Sequence, residues 1–206
     1  MDTKSIITIS RQYGSGGRFI GRKLANKLGI PFYDQELISL AAKESGFSEG
    51  FFENAEKKAT SSFLYSLYLH GTVEGNSGLP LDEQAFIIQS GVILDVAKKG
   101  PCVIVGRCAD YVLKDFPNVT NIFIYSNLRD RIRRAITYYG VAPEKAESTI
   151  RNADKRRGTY NHYYSGRKWG EAANYHLCIN SDAVGIDPAV EVIAAFVQAK
   201  DHPNHG

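Results

Sequence analysis

The sequence predicts a parallel α/β fold with right-handed crossovers, organised as a single domain. Three observations carry that expectation. A short β-branched run, Ile6, Ile7 and Ile9, passes through a glycine-rich turn straight into a helical pattern. CVIVG (102–106) and NIFIYS (121–126) have the continuous apolar character of strands buried on both faces. Helical stretches separate such strands along most of the chain.

The elements follow in order. Gly14, Ser15, Gly16 and Gly17 form the turn, after which Ile20, Leu24 and Leu28 recur at helical spacing with Arg18, Arg22, Lys23 and Lys27 on other faces. A glycine turn that opens a helix clusters amide N–H groups at the positive end of the helix dipole, which suits a phosphate. The blander alternative is a tight βα turn that needs glycine only for its geometry. The phosphate-cradling pattern G-x-x-x-x-G-K-[ST] is not present in full.

Gly29-Ile30-Pro31 ends this helix, and Phe32-Tyr33 reads as a short second strand leading to Asp34. Gln35 to Glu44 is an amphipathic helix, with Leu37, Ile38, Leu40 and Ala41 on its apolar face. From Ser45 to about Leu81 the character changes to clustered phenylalanines, a charged stretch, SSFLYSLYLH and the flexible GTVEGNSGLP. This stretch reads as a mobile, mostly helical insertion rather than a second domain. Asp82 to Lys99 is a helix, with Asp82 as its N-cap and Phe86, Ile87, Val92, Ile93 and Val96 as its apolar face. Gly100-Pro101 stops it. A basic helix from Leu128 to Tyr139, a helix from Ala142 to Arg157, a last strand HLCIN (176–180) and a last helix from Pro188 to Ala199 complete the order.

Composition narrows the class. The 206 residues are 43% hydrophobic and 23% charged, which is ordinary for a soluble globular protein. The net charge of +3 fits an anionic substrate but is too small to indicate nucleic acid or a membrane surface. No apolar run approaches the roughly 20 residues of a membrane span, and no signal-peptide core is visible, so a cytoplasmic location is expected. Cys102, Cys108 and Cys178 share no metal-ligand spacing and read as reduced thiols rather than a zinc site.

ITISRQYGSGG, PFYD, VIVGR, IFIYSNLRDRIRRA and DKRR, in this order, resemble the cytidylate kinases of bacteria, and most closely their cytidylate kinase-like branch with an SRxxGSGG loop. The resemblance runs from Ile6 to about Ile193. It implies a P-loop-type nucleoside monophosphate kinase fold, three layers (α/β/α) about a five-stranded parallel sheet. It also implies an acceptor-binding insertion at 45–81 and an arginine-bearing lid at about 151–172. The implied activity is transfer of a phosphoryl group from ATP, with Mg²⁺, to a small nucleotide substrate, CMP or dCMP.

The carry-over falls on particular residues. Gly14, Ser15, Gly16, Gly17, Arg11 and Arg18 match the donor-phosphate loop. In register, Gly17 stands where the family has its lysine and Phe19 where it has the Mg²⁺-binding hydroxyl, so Arg18 and Arg11 are the substitute cations and Ser10 and Ser15 the nearby hydroxyls. Asp34 sits at the family's LD-[ST]-G aspartate, which implies metal positioning or an approach to the acceptor; an N-cap role is the alternative. Gly106-Arg107 ends a buried strand, where α/β proteins bind ligands, and Arg107 is expected to hold the acceptor phosphate. The family's GRD aspartate is replaced by Cys108, with Asp110 two residues on, which leaves the acceptor base open.

Arg129, Arg131, Arg133 and Arg134 read mostly as a solvated face, with Arg131 or Arg134 near the nucleotide phosphates by the family pattern. Arg151, Asp154, Arg156 and Arg157 match the lid, where Arg151 and Arg157 would neutralise the transferring phosphate. The aromatic stretch TYNHYYSGRKWG predicts either base stacking or a dimer or partner surface. Two rival readings stand beside cytidylate transfer: a kinase of another small molecule, and a non-catalytic nucleotide-binding protein.

Overall fold

A computed structural model describes residues 3–34, 36–52 and 80–202. Five parallel strands form one sheet in the order β2-β3-β1-β4-β5. They are β1 (Ile6–Arg11), β2 (Phe32–Tyr33), β3 (Cys102–Val105), β4 (Val119–Tyr125) and β5 (Leu177–Asn180). Ile9 lies opposite Val105 on one side and Ile122 on the other, so β1 is the fully enclosed centre of the sheet.

Alternate residues of these strands feed two apolar layers. Ile7, Ile9, Val103, Val105, Ile122 and Ile124 pack against α1 (Gly17–Leu28) and the last helix, α8 (Ile186–Asp201). Ile6, Cys102 and Ile104 face the other way, onto α2 (Glu36–Ser45) and α3 (Leu81–Lys98). Helices on both faces explain why the strands read as continuous apolar runs rather than alternating ones. Further helices are α4 (Ala109–Val112), α5 (Leu128–Tyr139), α6 (Pro143–Ser165) and α7 (Ser181–Val184).

Several boundaries differ from the expectation. Pro80 rather than Asp82 is the N-cap of α3, and no side chain caps it. Asp82 lies in the first turn, where its charge still favours the helix dipole. Ile87 is exposed, not part of the buried face. The chain from 143 to 165 is one unbroken helix, longer than the pattern suggested, because Tyr160 and Asn161 continue its buried face. Most of the expected insertion, residues 53–79, and Gln35 lie outside the described residues. Among the described residues no helix is long and apolar enough to cross a membrane.

His176 joins the sheet through its ring: its Nδ1 accepts the Asn121 N–H at 2.8 Å, and burial and then Lys200 lower its pKa. All three cysteines are free. Burial pushes the Cys102 thiol up from 9.0 to about 12. The folded state therefore holds this proton more tightly than the unfolded chain. Its contribution to stability is complete below pH 9 and is lost as pH rises toward 12. Denaturant unfolding above pH 9 is expected to show a slope of about 1.4 kcal/mol per pH unit from this group. Cys102→Ala should flatten that slope; an identical slope in the variant would assign it to the tyrosines instead.

All five strands end on one edge of the sheet. The segments that leave that edge carry Gly14–Gly17, Asp34, Gly106–Cys108, Ser126 and Ser181.

Candidate active site

The glycine turn is tied down from outside. Gln12 N–H donates to Ile124 O at 3.0 Å, and Gln12 Oε1 accepts the Ser126 N–H at 3.2 Å. Gly14 (φ +77°) and Gly16 (φ +82°) adopt the left-handed backbone that glycine enters without penalty. A Cβ on Gly14 would also stand 2.7 Å from the Arg131 carbonyl oxygen, so both conformation and space demand glycine there.

Three successive carbonyls of the turn are held by side chains. Arg131 Nε donates to Tyr13 O at 2.8 Å, Arg134 Nη1 to Gly14 O at 3.3 Å, and Ser181 Oγ to Ser15 O at 2.5 Å. In a trans peptide the N–H points opposite to the C=O. Pinning the Tyr13 and Ser15 carbonyls outward thus turns the Gly14 and Gly16 amides inward. The first N–H groups of α1, which have no intrahelical partner, add to the same end. Ser15 is fully buried, and its Oγ has no hydrogen-bond partner among the described residues. Such a turn is suited to hold an anion, with the Ser15 hydroxyl beside it.

Gly17 answers the register question. A Cβ there would lie 2.6 Å from Arg11 Cβ. No lysine fits at this position, because the stem of Arg11 fills the space. Phe19, at the expected hydroxyl slot, is partly exposed and stacks with Tyr139 at 6.3 Å between centroids.

The cations converge on Asp34. Arg18 Nε lies 2.6 Å from Asp34 Oδ2, and Arg11 Nη2 lies 3.7 Å from Oδ1. Arg157 Nη1 donates to the Arg11 carbonyl at 3.1 Å, and its guanidinium sits 5.5 Å above the Tyr13 ring. Asp154 completes the arrangement: its Oδ1 accepts the Tyr13 N–H at 2.7 Å, and its Oδ2 pairs with Arg131. Tyr139 borders the same cluster. Burial raises its pKa, followed by Tyr13, while Arg157, Arg18 and Arg11 pull it down.

The neighbouring strand supplies the other half. Gly106, Arg107 and Cys108 run in succession at φ +79°, +59° and +53°. Two non-glycine residues in left-handed backbone cost about 1–2 kcal/mol each, strain of the kind that concentrates at ligand sites. Asp110 follows in the first turn of α4 and is 3% exposed. Burial raises its pKa, against backbone hydrogen bonds and the Arg167 charge that lower it.

The expected residues thus divide by position. Arg11, Gly14, Ser15, Gly16, Gly17, Arg18, Asp34, Asp154 and Arg157 gather around the turn. Arg107 and Asp110 lie beside it on the next strand's exit. Arg151 does not join them: it is exposed and pairs with Glu147 at 2.7 Å. Arg156 is exposed as well, farther along α6. Ser10 hydrogen-bonds the Tyr175 phenol, whose pKa burial pushes up to about 12, so Ser15 is the better-placed hydroxyl of the two.

Sequence reasoning read α5 mostly as a solvated face and singled out Arg131 or Arg134 only through the family pattern. Arg129 and Arg133 are solvated, but Arg131 (7% exposed) and Arg134 (9%) are buried supports of the turn. Their spacing of three with buried Ala135 was the available signal of an inward face. Ser126 and Ser181 were missed because a lone serine after a strand carries no pattern. Tyr160 and Trp169 of the aromatic stretch pack inward, Trp169 edge-on to Phe123 at 5.3 Å.

The cradle, the spare hydroxyl and the guanidinium groups fit a polyphosphate. Among the described residues no group of three His, Cys, Asp or Glu side chains could hold a metal alone. Ser15 and Asp34 are the side chains of the site that could offer oxygens to an Mg²⁺ ion, which would supply charge neutralisation to the phosphates.

Solved structures share this architecture. An uncharacterized protein from Eubacterium ventriosum is 28% identical, with a TM-score of 0.73 over 95% of this chain and 99% of that one. Shikimate kinase from Acinetobacter baumannii, in complex with shikimate, is 15% identical at a TM-score of 0.53, covering 95% and 94%. A gluconokinase from Sinorhizobium meliloti is 12% identical at 0.54, covering all of both chains. The latter two show the kinase-like fold alone. No curated protein matches the chain in sequence. The family model that matches spans residues 6–183, from β1 into α7, and so places the chain in the cytidylate kinase-like family.

Proposed function

We propose that the protein transfers the terminal phosphoryl group of ATP to a small phosphorylated acceptor, with CMP or dCMP as the first candidates. One observation carries the reading. An inward-turned amide cradle and three arginines, Arg11, Arg18 and Arg157, meet at one sheet edge, beside Arg107 on the adjacent strand. Phosphoryl transfer is mostly positioning and charge neutralisation, so a set of arginines can take over what a single lysine does elsewhere.

Bound Mg²⁺ would supply neutralisation between the donor phosphates. Gly14 and Gly16 would donate N–H groups to those phosphates, and Arg18 would leave Asp34 to grip them. Arg157, already anchored on the Arg11 carbonyl, would meet the charge on the equatorial oxygens. Arg107 would hold the acceptor phosphate, which is itself anionic and needs no general base. Residues 45–81 would form the acceptor lobe, and the segment at 151–172 the lid.

The closed lysine position favours a second reading, a protein that binds nucleotide with little transfer. An ADP-release assay over a panel of nucleoside monophosphates separates the two. Turnover with CMP or dCMP is expected, and Arg18→Ala should lower kcat/KM by about 100-fold, near 3 kcal/mol. ATP binding without turnover on any acceptor would leave the second reading.

A further inference from the structure

Helix α3 carries an unusual set of buried polar atoms. Among the described residues, Asp82 Oδ2, Gln89 Oε1 and Ser90 Oγ have no hydrogen-bond partner, although Gln89 is only 4% exposed. Buried polar groups are ordinarily paired, and leaving them unpaired is destabilising. Positions 82, 86 and 89 share one helical face.

That face can be located. Phe86 stacks on Tyr164 at 3.7 Å and meets Tyr160 edge-on at 6.2 Å. The Tyr164 hydroxyl donates to the Asp82 carbonyl oxygen at 3.1 Å. Cys108 packs in the same small apolar group as Tyr160 and Phe86, and it directly follows Arg107. The face that carries positions 82, 86 and 89 thus borders the exit of β3 through Phe86 and Cys108. A carboxylate and a carboxamide oxygen there can only accept hydrogen bonds.

We propose that this face of α3 reads the head group of the phosphoryl acceptor. Asp82 Oδ2 and Gln89 Oε1 accept hydrogen bonds from N–H or O–H donors on a small molecule whose phosphate lies at Arg107. The inference rests on the acceptor role given to Arg107 above. The shared chemistry is a head group rich in donors, supplied either by the exocyclic amine of a base or by the hydroxyls of a sugar. An apolar head group would leave the oxygens unpaired and is excluded by the same logic.

Titration calorimetry without ATP tests this directly, using CMP, UMP and ribose 5-phosphate against the parent protein and Gln89→Leu. CMP bound more tightly than UMP assigns the amine; ribose 5-phosphate bound as tightly as CMP assigns the hydroxyls. In either case Gln89→Leu should weaken the favoured ligand about tenfold. The ligand-free variant should melt about 2–4 °C higher, because an unpaired polar group has been removed. Opposite signs in the two readouts mark an oxygen kept for a ligand. Asp82→Asn, which keeps the shape and replaces an acceptor by a donor, should weaken the same ligand and serves if Gln89→Leu does not fold. Unchanged affinity in both variants, a lower melting temperature in Gln89→Leu, or no binding of any of the three ligands overturns the inference. Binding as expected in a protein that releases no ADP would remove the transfer reading and leave this one standing.

Discussion

Asp154→Ala is expected to loosen the phosphate cradle and to lower stability by about 2–3 kcal/mol. The carboxylate accepts the Tyr13 N–H at 2.7 Å and pairs with Arg131, whose Nε in turn holds the Tyr13 carbonyl. Removing it leaves Arg131 buried without its counter-charge, the costly way to break such a pair. Asp154 is partly exposed, which puts the loss at the low end of that range. For a chain of this length the change corresponds to a melting temperature lower by roughly 5–10 °C. ATP affinity should fall with it, since the turn that presents the amides loses its support. Arg151→Ala is the matched control on the outer side of the same helix, and should move stability by no more than about 0.5 kcal/mol. Parent-like melting and ATP binding in Asp154→Ala would show that the turn holds its shape without this carboxylate.

Arg157→Ala should produce the largest kinetic effect, a fall in kcat of about 10³-fold with the fold retained. Its guanidinium is partly exposed, lies over the Tyr13 ring and reaches the Arg11 carbonyl, so it is positioned but not buried. Such a side chain can turn toward charge that develops only in the transition state, and its loss then lowers kcat more than it raises KM. Arg157→Lys should recover little, because an ammonium cannot make the two parallel contacts of a guanidinium. Arg156→Ala, on the exposed side, should leave kcat within a factor of two or so. Equal kcat values for Arg157→Ala and Arg156→Ala would take Arg157 out of the transfer step.

These two residues show how legibility was distributed. The motif order located Asp154 and Arg157 together with Arg151 and Arg156 as one charged segment. Their contacts then divided them: 154 and 157 reach the turn, and 151 and 156 face solvent. In α5 only the family pattern set Arg131 or Arg134 apart, because a run of arginines resembles a solvated face until its partners are known. Arg131 and Arg134 become structural only when β1 and β4 are side by side in register, which brings the Tyr13 and Gly14 carbonyls within their reach. The missing lysine was visible in the sequence, but its reason was not. Gly17 is closed to any side chain by Arg11, a contact made across the turn rather than along it.

Local chemistry determined a great deal here. Unbroken apolar runs required strands covered on both faces, a glycine turn before a helix offered an end suited to an anion, and alternation of strands with helices required a parallel sheet. These follow from backbone conformation and periodicity, which are properties of neighbours in the chain. The partners of each charge were decided by tertiary structure. Asp34 between Arg18 and Arg11, Asp154 between Tyr13 and Arg131, and Phe86 of α3 stacked on Tyr164 depend on groups distant in sequence. Electrostatic and hydrogen-bond energies fall off over a few ångströms of space. Sequence separation has no bearing on that distance until the sheet has set it.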